Sequence, residues 1–203
     1  MMNLNIEIQV LTKIKKAKGG TLFFVENFLR FGNAKAIAKA LERLVHKGEI
    51  TRVARGVYAR LEVDPVIGPV LPSMESIAKA IAKRDKARII PTGVMAMYLL
   101  GLSTQIPMNI VYLTDGVARK VKVRNGSVVF KRSAPKNLSA IGKISSLAIQ
   151  ALKAIGKDNL TAMQKELVIQ QLLKEEETRL IHDIPLAPEW IREIIRKALP
   201  NTN

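Results

Sequence analysis

Between Asn33 and Arg60 the sequence sets a helix with two unlike faces directly before a short, glycine-turned hairpin, and few small domains accommodate that order. Asn33 is a good N-cap and Gly48 a good stop, so the spacing predicts a helix from about residue 34 to residue 47. Ile37, Leu41, Leu44 and Val45 recur at i, i+4, i+7 and i+8, a single core-facing stripe. Lys35, Lys39, Arg43 and His46 fall on a different face and make it strongly basic. Ala36 and Ala40 sit beside that row and are small enough to let the backbone approach a groove floor. Next, Ile50 and Val53, then Val57 and Ala59, mark two short strands around an Ala54-Arg55-Gly56 turn. Gly56 supplies the backbone freedom that a tight hairpin needs, and Arg52, Arg55 and Arg60 place cations on it.

Upstream, Leu4, Ile8, Leu11 and Ile14 recur at helical spacing until Gly19-Gly20 stops them. Residues 21–23 suit a small strand, and residues 25–31 a short second helix ended by Gly32. Helix, strand, helix, helix, hairpin is the order of a winged helix-turn-helix, so residues 1–62 are expected to bind duplex DNA. Lys35, Ala36 and Lys39 would lie nearest the base edges, with Arg43 either there or on phosphate. Arg52, Arg55 and Arg60 would hold the sugar-phosphate backbone. The competing explanation, a merely solvated basic face, does not account for the agreement of helix order, wing and cation placement.

The charge of the whole chain points the same way. Over 203 residues, 33 Lys and Arg stand against 17 Asp and Glu, a net charge of +16 that attracts a polyanion. Residues 1–62 carry net +7, residues 63–157 net +11 and residues 158–203 net −2. The sequence contains no cysteine, which excludes disulfides, thiolate metal sites and cysteine nucleophiles. The N-terminus lacks the layout of a signal peptide, and the most apolar stretch, residues 89–102, is interrupted by Pro91 and Gly93 and too short to span a bilayer. A cytoplasmic protein with no membrane partner is expected.

Residues 63–74 hold Pro65, Pro69 and Pro72 and read as a semi-rigid linker. Residues 75–203 then form a mixed α/β domain with a small antiparallel sheet and C-terminal helices, which makes the chain α+β as a whole. Ser73 can cap a helix facing inward through Ile77, Ala80 and Ile81. Residues 88–90 resemble a strand start, and residues 94–100 an apolar helix closed by Gly101. Period-two patterning marks strands at 109–114, 118–123 and 127–131, with turns at Asp115-Gly116 and Asn125-Gly126. On the middle strand Lys120, Lys122 and Arg124 share one face, opposite Val121 and Val123, and form a second basic surface for DNA or an acidic partner, or an ordinary solvated face. Helices are expected at 144–155, at 160–173 and from Pro188, the last with Trp190, Ile191, Ile194 and Ile195.

Nothing in the spacing calls for an enzyme, a metal or a cofactor. His46 and His182 stand apart from any metal-binding pattern. Gly142-Lys143 is followed by Ile144, so no phosphate-binding loop forms, and no Asp or Glu has Lys two residues later as a metal-assisted nuclease commonly requires. Two other classes stay open: a nucleic-acid-processing enzyme or accessory subunit using the basic second domain, and a ligand-sensing repressor.

Several strings together resemble the AbiEi-type antitoxin family of bacterial transcriptional regulators. They are residues 40–50, ALERLVHKGEI; Arg55-Gly56-Val57-Tyr58; residues 90–105, IPTGVMAMYLLGLSTQ; Pro107; Tyr112-Leu113-Thr114; and Ala187-Pro188-Glu189-Trp190-Ile191. The block from Pro91 to Gln105 is the more discriminating piece, because many regulators share the winged helix. The resemblance implies a C-terminal antitoxin domain, repression of the chain's own operon, and protection against a nucleotidyltransferase-like toxin encoded by the neighbouring gene.

Overall fold

A computed structural model describes residues 5–123 and 126–200. The fold is α+β, with small sheets near the N-terminus and helices throughout the C-terminal part. Two compact units divide it: one runs to Ala80 and includes the segment from Val121, and the other takes Ile81–Lys120 and the chain from Gly126 onward.

The first unit opens with α1 (Ile6–Lys16), whose N-cap Asn5 accepts the Glu7 amide through Oδ1 at 3.0 Å. β1 (Leu22–Phe23) and a 3₁₀ helix (Val25–Phe31) come next. The latter starts where Asn27 Oδ1 accepts the Phe24 amide at 2.7 Å. Then come α2 (Ala34–His46), β2 (Thr51–Ala54) and β3 (Val57–Ala59). The three strands order β1-β3-β2, antiparallel throughout. Val10 and Ile14 of α1, Phe23, Phe28, and Ile37, Leu41 and Leu44 of α2 form the core with Ile50 and Tyr58.

Residues expected to form a linker carry instead a hairpin of β4 (Glu62–Asp64) and β5 (Gly68–Val70). Asp64 builds its turn by accepting the amides of Val66 at 2.8 Å and Ile67 at 3.0 Å. Those two bonds hold the Asp64 carboxyl below its usual range, the Ile67 amide foremost. Pro69 is tolerated because a two-stranded ribbon consists of edges.

α3 (Met74–Arg84) begins where Ser73 Oγ accepts the Ser76 amide at 3.1 Å. It buries Ile77, Ala78, Ile81 and Ala82, so Ala78 takes the inward position expected of Ala80. The chain continues through β6 (Ile89–Pro91), α4 (Gly93–Leu99), β7 (Asn109–Thr114), β8 (Arg119–Val123) and β9 (Gly126–Arg132). The sheet order is β6-β7-β9-β8. β6 and β7 are antiparallel, but β7 and β9 run parallel, so the expected run of neighbouring hairpin strands is replaced by a mixed sheet. The reason is polarity. β9 buries Ser127, Val128 and Phe130 and suits the interior, whereas β8 exposes Lys120 and Lys122 and suits an edge, where lysines discourage further strand pairing. Asp115, expected in a simple turn, accepts the Arg88 amide and Nε, each at 2.8 Å. Arg124 and Asn125, and with them the expected Asn125-Gly126 turn, lie outside the described residues.

The remaining helices are α5 (Lys143–Ile155), α6 (Ala162–Leu172), α7 (Glu177–Asp183) and α8 (Glu189–Arg196). α5 is buried on most sides through Leu147, Ala148, Ile149, Ala151 and Leu152, and it packs with Val168, Leu172, Leu180, Ile191 and Ile195. Among the described residues no helix is long and apolar enough to cross a membrane.

Candidate nucleic-acid interface

The outer face of α2 is fixed by its inner one. Ile37 and Leu41 are fully buried and Leu44 nearly so, which turns Lys35, Lys39 and His46 to solvent. Asn33 Oδ1 accepts the Ala36 amide at 2.9 Å, so the first turn is closed by a side chain while Lys35 beside it stays exposed. Ala36 is half-buried. Ala40 is buried, so it belongs to the core rather than to the surface expected beside the basic row. Glu42 also faces solvent, about 20° from Lys35 by helical angle and just outside the row of Lys35, His46 and Lys39, so the basic face carries an acid at its edge.

Arg52 is exposed on β2 and Arg55 at the hairpin tip, where Gly56 adopts φ +74°. Arg60 departs from expectation. Its Nη2 donates to the Ala17 carbonyl at 3.1 Å, and its Nε is buried. Arg60 thus satisfies a carbonyl at the C-terminal end of α1, where helix geometry leaves acceptors unpaired, instead of standing beside Arg52 and Arg55.

Some cations of this unit face carboxylates and others do not. Lys15 lies 3.1 Å from Glu49, and Lys47 lies 2.5 Å from Glu7 Oε1. Arg43 lies 3.7 Å from Glu7 Oε2. The hydrogen bond from Lys47 is the main reason the Glu7 carboxyl titrates below its ordinary value, against partial desolvation and with help from Arg43. Among the described residues, Lys35, Lys39, Arg52 and Arg55 have no carboxylate partner. Lys13, Lys16 and Arg30 line a separate groove beside α1. There Lys13 donates to the Asn27 carbonyl and lies 5.2 Å from the Phe28 ring centroid. Desolvation foremost, then the nearby Arg30, lowers the Lys13 ammonium's pKa. The sequence signal for this groove was the Lys13/Lys16 spacing at i and i+3.

In the second basic surface Lys120 is exposed, and Lys122 on the same strand is exposed as well; Arg124 lies outside the described residues. Arg119 is directed elsewhere, ion-paired with Asp85 and 5.5 Å from the Phe130 ring centroid.

A constellation of Ser145, Asp183 and His182 invites comparison with a nucleophilic triad. Asp183, fully buried, accepts from the amides of Ile141 and Gly142 at 2.9 Å each, from Ser145 Oγ at 2.5 Å, and shares 2.8 Å with His182 Nδ1. The order is wrong for catalysis, since Ser145 is fully buried and gives its proton to the carboxylate rather than to the imidazole. Glu175 Oε2 takes the Ile144 amide at 2.6 Å. Together the two carboxylates cap α5, whose own N-cap, Gly142, has no side chain. A Cβ at Gly142 would collide with Ser145 Oγ and lie 3.0 Å from an oxygen of each carboxylate, so any larger residue there would have to displace the capping side chains. Among the described residues no cluster of three or more His, Asp or Glu side chains is arranged to hold a metal ion.

Residues 9–181 match the model of a family described as a family of unknown function, DUF6088, and the chain belongs to that family. No curated protein matches the chain. The family description assigns no activity, so the antitoxin role rests on the sequence resemblance alone.

Proposed function

We propose that the chain is a DNA-binding transcriptional regulator whose first 62 residues are a winged helix-turn-helix. The observation that carries this reading is the placement of Lys35 and Lys39 on the bare face of α2, with Arg52 and Arg55 on the hairpin after it, all without carboxylate partners among the described residues. Cations left unpaired on a helix and on an adjacent ribbon are what a polyanion would pair with. In this reading α2 enters the major groove, and Lys35, Ala36 and Lys39 near its N-terminus meet base edges. Arg52 and Arg55 hold phosphates, and Arg43 serves either purpose. Glu42 adds an acceptor suited to a cytosine amino group.

The resemblance in residues 90–114 extends the proposal to an antitoxin that works in the cytoplasm without a cofactor. It would repress its own operon and counter a toxin encoded by the neighbouring gene. Lys120 and Lys122 would meet either an acidic toxin surface or nucleic acid.

The test is binding of the full chain to duplex from upstream of its own gene, against random duplex, over a salt series. Lys39→Ala should cost about 1–3 kcal/mol at one base position of the preferred site. Absence of binding to any duplex at low salt would refute the reading. For the antitoxin role, the neighbouring gene is coexpressed with the chain and growth is followed; toxicity that the chain leaves unrelieved refutes it.

A further inference from the structure

Glu7 stands against the cations at the edge of α2 in an unequal arrangement. Its Oε1 lies 2.5 Å from Lys47 Nζ, a short charge-assisted hydrogen bond, while Oε2 is 3.7 Å from the nearest Arg43 nitrogen, beyond hydrogen-bonding range. Exposure is unequal too: the Glu7 side chain is 11% exposed, against 52% for Arg43 and 62% for Lys47. The carboxylate is held in the first turn of α1, whereas the Arg43 guanidinium has solvent to turn into. Glu7, Lys39 and Arg43 line one open cleft of about 410 Å³ beside the basic face.

We propose that Glu7 is an internal counter-anion that competes with DNA for Arg43 and so sets how tightly, and with what salt dependence, the α2 face binds. This rests on the DNA-binding reading above. Arg43 reaches a phosphate oxygen only by leaving Glu7. Glu7 tolerates the loss because Lys47 remains, so no mostly buried carboxylate is stranded without a partner. Lys47 is therefore the positioning residue that makes Arg43 releasable. Without it, Glu7 would keep Arg43 as its sole partner.

The experiment measures the dissociation constants of full-length wild type, Glu7→Gln, Lys47→Met and the double variant for upstream and random duplexes. It covers a salt series, with thermal unfolding of each variant as a check on folding. Glu7→Gln should bind both duplexes several-fold tighter at low salt, with a log–log salt slope steeper by about 0.9 for one added phosphate contact. That advantage should shrink by about 3.5-fold for a fourfold rise in salt. Lys47→Met should weaken binding and flatten the slope, and its effect should largely vanish in the Glu7→Gln background, which loss of a surface charge alone would not produce. Unchanged or weaker binding by folded Glu7→Gln overturns the proposal and leaves the DNA-binding reading intact. If Glu7→Gln does not fold, Lys47→Met decides, and binding equal to or tighter than wild type overturns it. Wild type that binds no duplex at low salt overturns the DNA-binding reading, and this proposal with it.

Discussion

α2 and α5 are both 13 residues long, yet they are built for opposite tasks. α2 buries Ile37, Ala40, Leu41 and Leu44 and leaves the rest of its circumference largely open. α5 buries seven positions, including Ser145 and Gln150, and is a pillar of its unit. Their N-termini differ in the same sense. α2 is closed by Asn33, the residue next to it, while α5 is closed by Glu175 and Asp183, which lie 31 and 41 residues beyond the amides they accept. A helix packed through a single stripe is secured by local chemistry at its N-terminus. A helix surrounded by other helices can borrow its cap from one of them.

Removing each cap tests this contrast, and the remote one should matter more. Asp183→Ala orphans the buried Gly142 amide and Ser145 hydroxyl and also frees the more exposed Ile141 amide, at a cost of about 3–5 kcal/mol. Asn33→Ala frees one amide that water can reach, a loss of about 1 kcal/mol. Denaturant unfolding, followed with Trp190 fluorescence for the second unit and circular dichroism for the whole, separates the two. Equal losses would erase the distinction between local and remote capping.

The same contrast explains what could be read from the sequence. α2 was legible because its stripe, its cap and its stop all lie within a few residues of one another. The strands at 109–114 and 127–131 were legible from their period, but not their parallel pairing, because period two is the same whether a neighbour runs with or against it. α7 is only seven residues long, and its meaning lies in Asp183 reaching α5, a relation that no local pattern encodes. The β4–β5 hairpin was hidden under three prolines that signal extended chain equally well. At the candidate interface, sequence grouped Arg60 with Arg52 and Arg55 as three cations on one hairpin. Which of them turns inward depended on an acceptor at Ala17, contributed by the end of α1.

Arg55 and Arg60 therefore make a second, smaller test. Arg55→Ala should leave unfolding unchanged, weaken binding to specific and random duplex alike, and flatten the salt slope by about one unit. Arg60→Ala should instead lower the thermal midpoint of the first unit, because the Ala17 carbonyl loses its donor, with the salt slope at the wild-type value in the folded protein. A flattened slope for Arg60→Ala would return that residue to the interface.

The smallest effect concerns pH, and its sign is set by Glu7. Lys47, with Arg43 behind it, lowers the folded-state pKa of Glu7 below the ordinary 4.5, so the unfolded chain binds a proton at Glu7 more readily than the folded one. The pair's contribution to stability is thus fully present above the unfolded value and is lost as pH falls through the folded one. In Glu7→Gln nothing titrates at this position, so the difference in thermal midpoint between wild type and variant should be constant at neutral pH and shift against wild type only below about pH 4.5. Paired melts at a series of pH values, at low and high salt, measure it. Because both cations are largely exposed, the difference should also shrink as salt rises. A difference that varies between about pH 6 and 8 would show that Glu7 is not the group that sets it.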